Sequence, residues 1–505
     1  MIRLIQRFLK QRENLGEIGV LLAIFTVFLV NASYVSYPDE FVNLLGGKTI
    51  LNGGIPYKHF FDHHLPFAWY LSAFLQLFSF GSFWLFRVLW AVLTFFSLYL
   101  LCRWIQTKYK ELHSYYLVFF AMYPLMGVYF WFHLFLADSL AVLFLSLVFW
   151  ILIVQTVTKR ISYKAVLFSS FLTFLLIFSS LTYLYAALVL YAWQVYLVGF
   201  DLKKLIKYAG VVIAPYGLYF LYLLATGTLQ DFYFANITYN TNLYISIPNY
   251  VKGRFFNPLK FALTLIYNFH SNYFVLLSKI KHLDLYLPIG VLAGLGSLLL
   301  FLTLIPFNAI VAALFFLLLS FSAPRSNIQN YTESDYQGSL FLVFGVAASL
   351  IAFYLLRKTK FHEEVLQDIK RVAQVLLVIF FFFSFIFLLK NSYDKYFLRY
   401  TQVMPSVADI SYTADFVDQI INKGEYYWAG PYDPHEEFFV KNGRLPGKYP
   451  TLLPQFREDE YLRSSFLKQF EENKPLIIIY RQEASIFGTP SLEFGKFSLS
   501  WMRDK

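Results

Sequence analysis

The strongest constraint on this chain is a series of apolar runs, each near the length of a helix that crosses a membrane. A helix needs roughly 20 apolar residues to cross the hydrocarbon core of a bilayer. Only 14% of the 505 residues are charged, whereas soluble domains have about 25%. We therefore predict an all-α polytopic membrane protein with about eleven transmembrane helices. The predicted spans lie near 16–36, 83–103, 114–132, 137–157, 163–180, 182–200, 207–225, 284–305, 307–322, 338–356 and 372–390.

The distribution of Lys and Arg predicts the orientation of these spans. With a cytoplasmic N-terminus, the predicted inner segments carry 18 basic residues and the outer segments carry 8, as the positive-inside rule requires. The segment 37–82, the loop 226–283 and the chain after residue 390 then lie on the outer face of the cytoplasmic membrane. The net charge of +11 comes from short clusters between apolar runs, so we expect membrane lipid as a partner and no nucleic acid.

Two parts of the predicted outer face have a structure of their own. Residues 41–52 and 66–80 are rich in aromatic residues and too short to span, which predicts amphipathic helices at the outer interface. The chain divides at residue 390 into a transmembrane domain (1–390) and an extracytoplasmic C-terminal domain (391–505). Mixed polarity after residue 390 predicts a small α/β domain. Its predicted elements are helices at 408–422 and 458–472 and strands at 425–430 and 475–480.

The first candidate site is the acidic pair Asp39 and Glu40, which follows the first predicted span. A carboxylate near a low-dielectric boundary is costly unless it is hydrogen-bonded or used. Such a group is suited to removing a proton from an acceptor hydroxyl as a general base. The alternative is a solvated acid that caps the next helix, since Asp39 precedes Phe41.

A second candidate is the polar cluster between residues 57 and 66, where Lys58, Asp62, His63 and His64 crowd together. Imidazoles and an ammonium group can hold a phosphate, orient a sugar or bind a divalent metal. Adjacent histidines point in different directions in regular structure, which disfavours both as ligands of a single metal ion. The requirement for a cofactor stays open, and Asp39, Glu40, Asp62 and His63 could together hold a divalent metal. The alternative is a polar interfacial loop.

Two ionisable residues are predicted at the outer ends of spans, Arg87 and Asp138. Ionisable groups at membrane depth usually face a cavity or a partner. We predict that Arg87 could be the partner of Asp138, either as a structural ion pair or as part of a substrate contact.

The outer loop 323–337 contains a single basic residue, Arg325, together with Tyr331. A guanidinium fork matches the oxygens of a lipid phosphate, so this loop is a candidate for binding one. The alternative is an arginine that extends to the lipid headgroups.

Together these features resemble the bacterial membrane glycosyltransferases of the GT-C fold, which are relatives of protein O-mannosyltransferases and of lipid A aminoarabinose transferase. The resemblance begins with the acidic pair after the first span and continues through 46–71 (GGKTILNGGIPYKHFFDHHLPFAWYL) and 81–93 (GSFWLFRVLWAVL). It then includes Asp138 at the fourth span, the late outer loop and the outward C-terminal domain.

The resemblance implies that Asp39, with Glu40 beside it, is the catalytic base. It also implies a sugar donor on a polyprenyl phosphate, whose phosphate is held by outer loops at Arg325 and Tyr331. The aminoarabinose branch has an arginine where this chain has Val42, and a Glu-Lys pair where this chain has His64-Leu65. Phosphate binding would therefore use other residues, such as Lys58, His63 or His64.

We therefore expect a glycosyltransferase that moves a sugar from a polyprenyl-phosphate donor to a glycan, lipid or protein acceptor. The main alternative is a transporter or flippase of lipid-linked sugars. Transporters tend to place ionisable groups near the bilayer midplane, whereas the acids here cluster at the outer ends of spans. A non-catalytic scaffold is a third reading, but it gives no reason for that clustering.

Overall fold

The computed structural model is predominantly helical. It describes residues 2–34, 36–245, 256–278, 287–322, 339–359, 363–397, 407–430, 436–451 and 455–480, with short strands at 485–486 and 489–490. The helices are α1 (Ile2–Asn31), α2 (Pro38–Leu51), α3 (Phe67–Ser79), α4 (Phe83–Lys108), α5 (His113–Tyr129), α6 (Ala137–Thr158), α7 (Tyr163–Ser179), α8 (Leu184–Val198), α9 (Leu202–Thr226), α10 (Leu229–Tyr233), α11 (Pro258–Ser278), α12 (Leu287–Phe307), α13 (Ala309–Phe321), α14 (Ser339–Lys358), α15 (Glu364–Phe397), α16 (Val407–Ile420), α17 (Glu436–Phe439), α18 (Gln455–Glu458) and α19 (Glu460–Glu472). Short 3-10 turns cover Lys110–Leu112 and Leu181–Tyr183, and a π-helix covers Phe234–Tyr244. The strands are β1 (Tyr427–Gly430), β2 (Ile477–Tyr480), β3 (Ser485–Ile486) and β4 (Thr489–Pro490).

The chain is a helical membrane protein. Within the described residues, six helical stretches are long and apolar enough to cross a bilayer: Phe83–Lys108, Ala137–Thr158, Leu181–Val198, Leu202–Thr226, Pro288–Phe307 and Glu364–Asp394. Helix α6 is buried along almost its whole length, whereas α9 and α15 expose rows of large apolar side chains. Such exposed apolar faces are stable only against lipid or another apolar partner. Each predicted span overlaps one of the helices α1, α4 to α9 or α12 to α15.

Helices α2 and α3 correspond to the predicted amphipathic helices, and they pack against each other at two glycines. A Cβ atom on Gly46 would lie 2.6 Å from Cγ of Trp69, and one on Gly47 would lie 2.5 Å from Oγ of Ser72. No side chain fits at either separation, so the two backbones can approach this closely only with glycine. The Gln76 side-chain amide also donates to the Leu44 carbonyl at 2.7 Å. These contacts fix the direction of α2, whose first turn carries Asp39.

The C-terminal segment (407–480) contains a two-stranded parallel sheet between helices. Strands β1 and β2 lie where strands were predicted, and Trp428 of β1 packs against Phe466 and Phe470 of α19. This segment is held against α2 by Lys48, whose ammonium group donates to the carbonyls of residues 437, 438 and 440. The C-terminal segment therefore covers the region that follows α1.

Replacing Lys48 with Met is expected to remove a pH-dependent part of the stability. Burial lowers the pKa of the Lys48 ammonium group from 10.5 to about 8, although the nearby carboxylates of Glu437 and Asp418 act in the opposite direction. Between these two pH values the unfolded chain binds more protons than the folded chain, so the free energy of unfolding rises with pH. Thermal unfolding across this window should show that rise for the wild type and for Lys441→Met, an exposed control, but not for Lys48→Met. An equal rise in all three proteins would contradict this role of Lys48.

Candidate functional site

A cavity of about 270 Å³ lies where the N-terminal ends of α2 and α6 meet the loop at 61–64. We call it the central cavity. It is lined by Tyr37, Asp39, Val42, Asn43, Phe61, Asp62, His63, His64, Leu136, Ala137, Asp138, Tyr244, Thr451 and Phe456. Five of the predicted site residues thus face one space, although they come from three separate parts of the sequence. The π-helix and the C-terminal segment complete its wall.

Asp39 lies in the first turn of α2, where it is partly exposed to the central cavity. Pro38 begins this helix after an extended Tyr37, and proline is favoured at a first helical position because its φ angle is already suitable. The positive end of the helix dipole favours a negative side chain in the first turn. Asp39 therefore offers a carboxylate at the edge of a space large enough for a small polar group.

Glu40 points away from the cavity into a buried ion pair. Its carboxylate accepts hydrogen bonds from Arg87 Nε at 3.1 Å and Nη2 at 2.5 Å, and from the backbone N–H of Phe135 at 3.1 Å. Both side chains are almost fully buried, and Arg87 also donates to the carbonyl of Tyr34. Glu40 and Arg87 thus join α2 to α4, the end of α1 and the loop before α6. They act on the central cavity by positioning α2.

Asp138 lies in the first turn of α6 and accepts a hydrogen bond from the hydroxyl of Tyr183. The predicted partnership of Arg87 and Asp138 is wrong, because the guanidinium group of Arg87 is bound to Glu40. Asn43 of α2, which also lines the central cavity, donates to the carbonyls of Asp39 and Phe135, each at 3.2 Å. This bridge fixes the spacing between the two helix ends that carry Asp39 and Asp138.

Asp62, His63 and His64 form a compact cluster on the cavity wall. Nδ1 of each histidine lies 3.1 Å from Oδ1 of Asp62, so both rings turn to the same side of Asp62, an arrangement that the sequence disfavours. The loop at 61–65 has no regular secondary structure, so the alternating side-chain directions of a strand do not apply to it. The ring of His63 also packs on Tyr244 at 4.1 Å. Burial alone would raise the pKa of Asp62, but the charge of His64 and hydrogen bonds from both histidines hold that pKa well below its usual value.

This cluster has the donor set of a divalent metal site. One ligand atom from each of Asp62, His63 and His64 lies within 4.8 Å of the others. Two imidazoles and a carboxylate suit Zn²⁺ or Mn²⁺ better than Ca²⁺ or Mg²⁺. Glu40 does not fit such a site because its oxygens are bound to Arg87 and Phe135.

Metal-free protein is expected to bind Zn²⁺ or Mn²⁺ at this cluster. Asp62→Asn should bind the metal at least about 10- to 100-fold more weakly, because loss of a group that only supports a ligand already has an effect of that size. Isothermal titration in detergent measures the affinity directly. Asp368→Asn is a control because Asp368 lies on α15, is 69% exposed and does not line the central cavity. Equal binding by wild type and Asp62→Asn would show that any metal binds elsewhere.

Three predicted site residues remain, and the structure describes one of them, Lys58. Lys58 is exposed and lines a separate groove against the C-terminal segment. Arg325 and Tyr331 lie outside the described residues. Sequence reasoning missed Asn43, Tyr183 and Tyr244, because nothing local distinguishes them from the many other polar and aromatic residues of this chain.

Comparison with protein-family models and with curated proteins finds no match for this chain. The functional assignment therefore depends on the chemistry of the central cavity and of the residues that support it.

Proposed function

We propose that this protein is a membrane glycosyltransferase of GT-C-like architecture that uses a polyprenyl-phosphate sugar donor. The observation that carries the proposal is the central cavity, where Asp39, Asp62 and Asp138 meet two imidazoles at one end of a bundle of apolar helices. Carboxylates and imidazoles are the side chains most used for general acid–base catalysis. A lipid-linked substrate would present its polar head at this depth while its tail remains in the bilayer.

In the proposed reaction, Asp39 removes the proton of an acceptor hydroxyl as that oxygen attacks the anomeric carbon of the sugar. The bond between the anomeric carbon and the phosphate oxygen breaks, and polyprenyl phosphate leaves with the electron pair. This single displacement inverts the anomeric centre. His63 and His64, or a metal ion held with Asp62, would stabilise the charge that develops on the leaving phosphate. Asp138 would hold sugar hydroxyl groups.

The orientation belongs to the same proposal. The basic residues between the predicted spans favour a cytoplasmic N-terminus, and the central cavity then opens at the outer face of the cytoplasmic membrane. About eleven spans would form the transmembrane domain, as the predicted runs indicate. The C-terminal segment would belong to an extracytoplasmic α/β domain that covers the cavity. A nucleotide-independent lipid donor fits a reaction on that face.

The proposal is tested in proteoliposomes that contain purified protein, radiolabelled polyprenyl-phosphate sugars and a membrane extract as acceptor. We expect the label to move from the lipid fraction to an acceptor. A label that stays on the lipid but crosses to the other leaflet would instead support a flippase. The two outcomes are separated by extracting the lipid and by measuring its accessibility from outside the vesicle.

A further inference from the structure

A second cavity, which we call the basic groove, lies between α2 and the C-terminal segment. It has a volume of about 630 Å³, within the range of about 300–1,000 Å³ typical of ligand pockets. Its lining includes one histidine, His59, and seven charged residues: Lys48, Lys58, Lys423, Glu437, Lys441, Arg444 and Lys448. Six of these are lysine or arginine and one is acidic, so cations outnumber anions along the lining.

Part of this positive charge is already used by the fold. Lys48 binds backbone carbonyls, Lys448 pairs with Asp231 at 2.9 Å, and Lys441 lies 3.9 Å from Asp415. Among the described residues, Lys58, Lys423 and Arg444 have no acidic partner within ion-pair distance. Three cations from two distant parts of the sequence are thus available to an anionic ligand in one groove.

The rest of the lining suits a carbohydrate. Asn52, Asn442, Gln469 and Asn473 line the groove, and side-chain amides can both donate to and accept from sugar hydroxyl groups. Asn442, Gln469 and Asn473 already donate within the protein. Among the described residues, the second N–H of Gln469 and of Asn473 and the amide of Asn52 remain for a ligand. Tyr426, which is partly exposed, offers an aromatic surface. An amide-rich lining is less expected for a simple lipid headgroup, which offers few hydroxyl groups.

The basic groove is adjacent to the central cavity. Phe61 lines the central cavity and Lys448 lines the groove. The backbone N–H of Phe61 donates to the carbonyl of Lys448 at 2.7 Å. Helix α2 likewise contributes Asp39 to the cavity and Lys48 to the groove. The two cavities are therefore separated by a wall that Phe61, Lys448 and α2 form together.

We propose that the basic groove binds the acceptor as a carbohydrate chain that carries carboxylate or phosphate groups. The role of the bound chain as the acceptor rests on the proposed function, whereas the binding of an anionic carbohydrate does not depend on it. The groove holds the anionic chain while one of its hydroxyl groups reaches the central cavity. Neutral glycans are poor ligands because they leave the cations unpaired.

The test measures the binding of tetragalacturonate and of maltotetraose, a neutral chain of equal length, to the full-length protein in phosphatidylcholine nanodiscs. We expect the anionic chain to bind at least about tenfold more tightly, and added salt to weaken it because salt screens exposed charges. The triple variant Lys58→Gln, Lys423→Gln and Arg444→Gln should bind it about 10- to 100-fold more weakly, as expected for three exposed charge contacts. A control triple variant makes the same charge change in the C-terminal segment outside the groove, with Arg463→Gln, Lys468→Gln and Lys474→Gln. It should bind tetragalacturonate like the wild type.

Equal binding of both oligosaccharides, or equal loss in the two triple variants, would overturn the proposal. A second measurement repeats the binding of tetragalacturonate in nanodiscs that contain phosphatidylglycerol, an anionic lipid. If this lipid blocks tetragalacturonate binding in the wild type, the groove holds a lipid headgroup and the carbohydrate assignment is wrong. No sugar donor is present in these measurements, so their failure is separate from any failure of sugar transfer.

Discussion

Asp39→Asn is expected to lower kcat for sugar transfer by about 10²- to 10⁴-fold, the usual contribution of a positioned general base. Asparagine keeps the size and polarity of the side chain but cannot accept the proton. In the proposed reaction, substrate binding uses other residues of the central cavity, so KM should change much less than kcat. Initial rates over a range of donor concentrations separate the two constants.

The matched control for this prediction is Asp415→Asn. Asp415 belongs to the C-terminal segment, is 61% exposed and does not line the central cavity. It should keep the wild-type rate, and Asp39→Glu should recover part of the activity because a carboxylate is retained. Full activity in Asp39→Asn would rule out Asp39 as the base, provided that the wild type and the variant unfold at the same temperature.

Arg87→Gln is expected to lower the free energy of unfolding by about 3–5 kcal/mol, the range for removing one partner of a buried ion pair. The substitution leaves the Glu40 carboxylate buried without its cation, and it also removes the link to the carbonyl of Tyr34. Glu40→Gln should have an effect of similar size because it leaves Arg87 buried without its anion. Thermal unfolding in detergent measures both changes.

The exposed pair Arg371 and Asp368 gives a matched comparison. Its atoms lie 3.0 Å apart, but the two side chains are 72% and 69% exposed, so Arg371→Gln should change the stability by less than about 1 kcal/mol. The double variant Glu40→Gln and Arg87→Gln should lose less than the sum of the single changes, because neither buried charge then remains alone. If the Arg87→Gln variant is as stable as the Arg371→Gln variant, the positioning role of the ion pair is contradicted.

The helices of this protein could be predicted from the sequence because an apolar run of membrane length has few other solutions. The long segment after α9 was harder to predict. The sequence predicts an outer loop over 226–283, whereas the structure has a π-helix at Phe234–Tyr244 and the helix α11 in this segment. The π-helix carries Tyr239 and Tyr244, whose rings pack near His63. Mixed polar and aromatic composition gives no clear periodic signal for such elements.

The candidate site could be predicted only in part. Asp39 and Glu40 are adjacent, but side chains one residue apart on a helix differ by about 100° in direction. One therefore faces the central cavity and the other faces Arg87, which lies 47 residues away in sequence. The sequence identified all three residues as important and could not decide which acid was buried. That decision depends on how α2 packs against α4.

The most direct measurement follows both halves of the donor at once, with ³H in the sugar and ³²P in the lipid phosphate. Purified wild-type protein in proteoliposomes is given this donor together with an acceptor extract, and the products are separated by solvent partition. We predict that each sugar appearing on an acceptor is matched by one molecule of free polyprenyl phosphate, and that Asp39→Asn produces little of either. Recovery of both labels in the intact donor, with or without movement between leaflets, would contradict a glycosyltransferase.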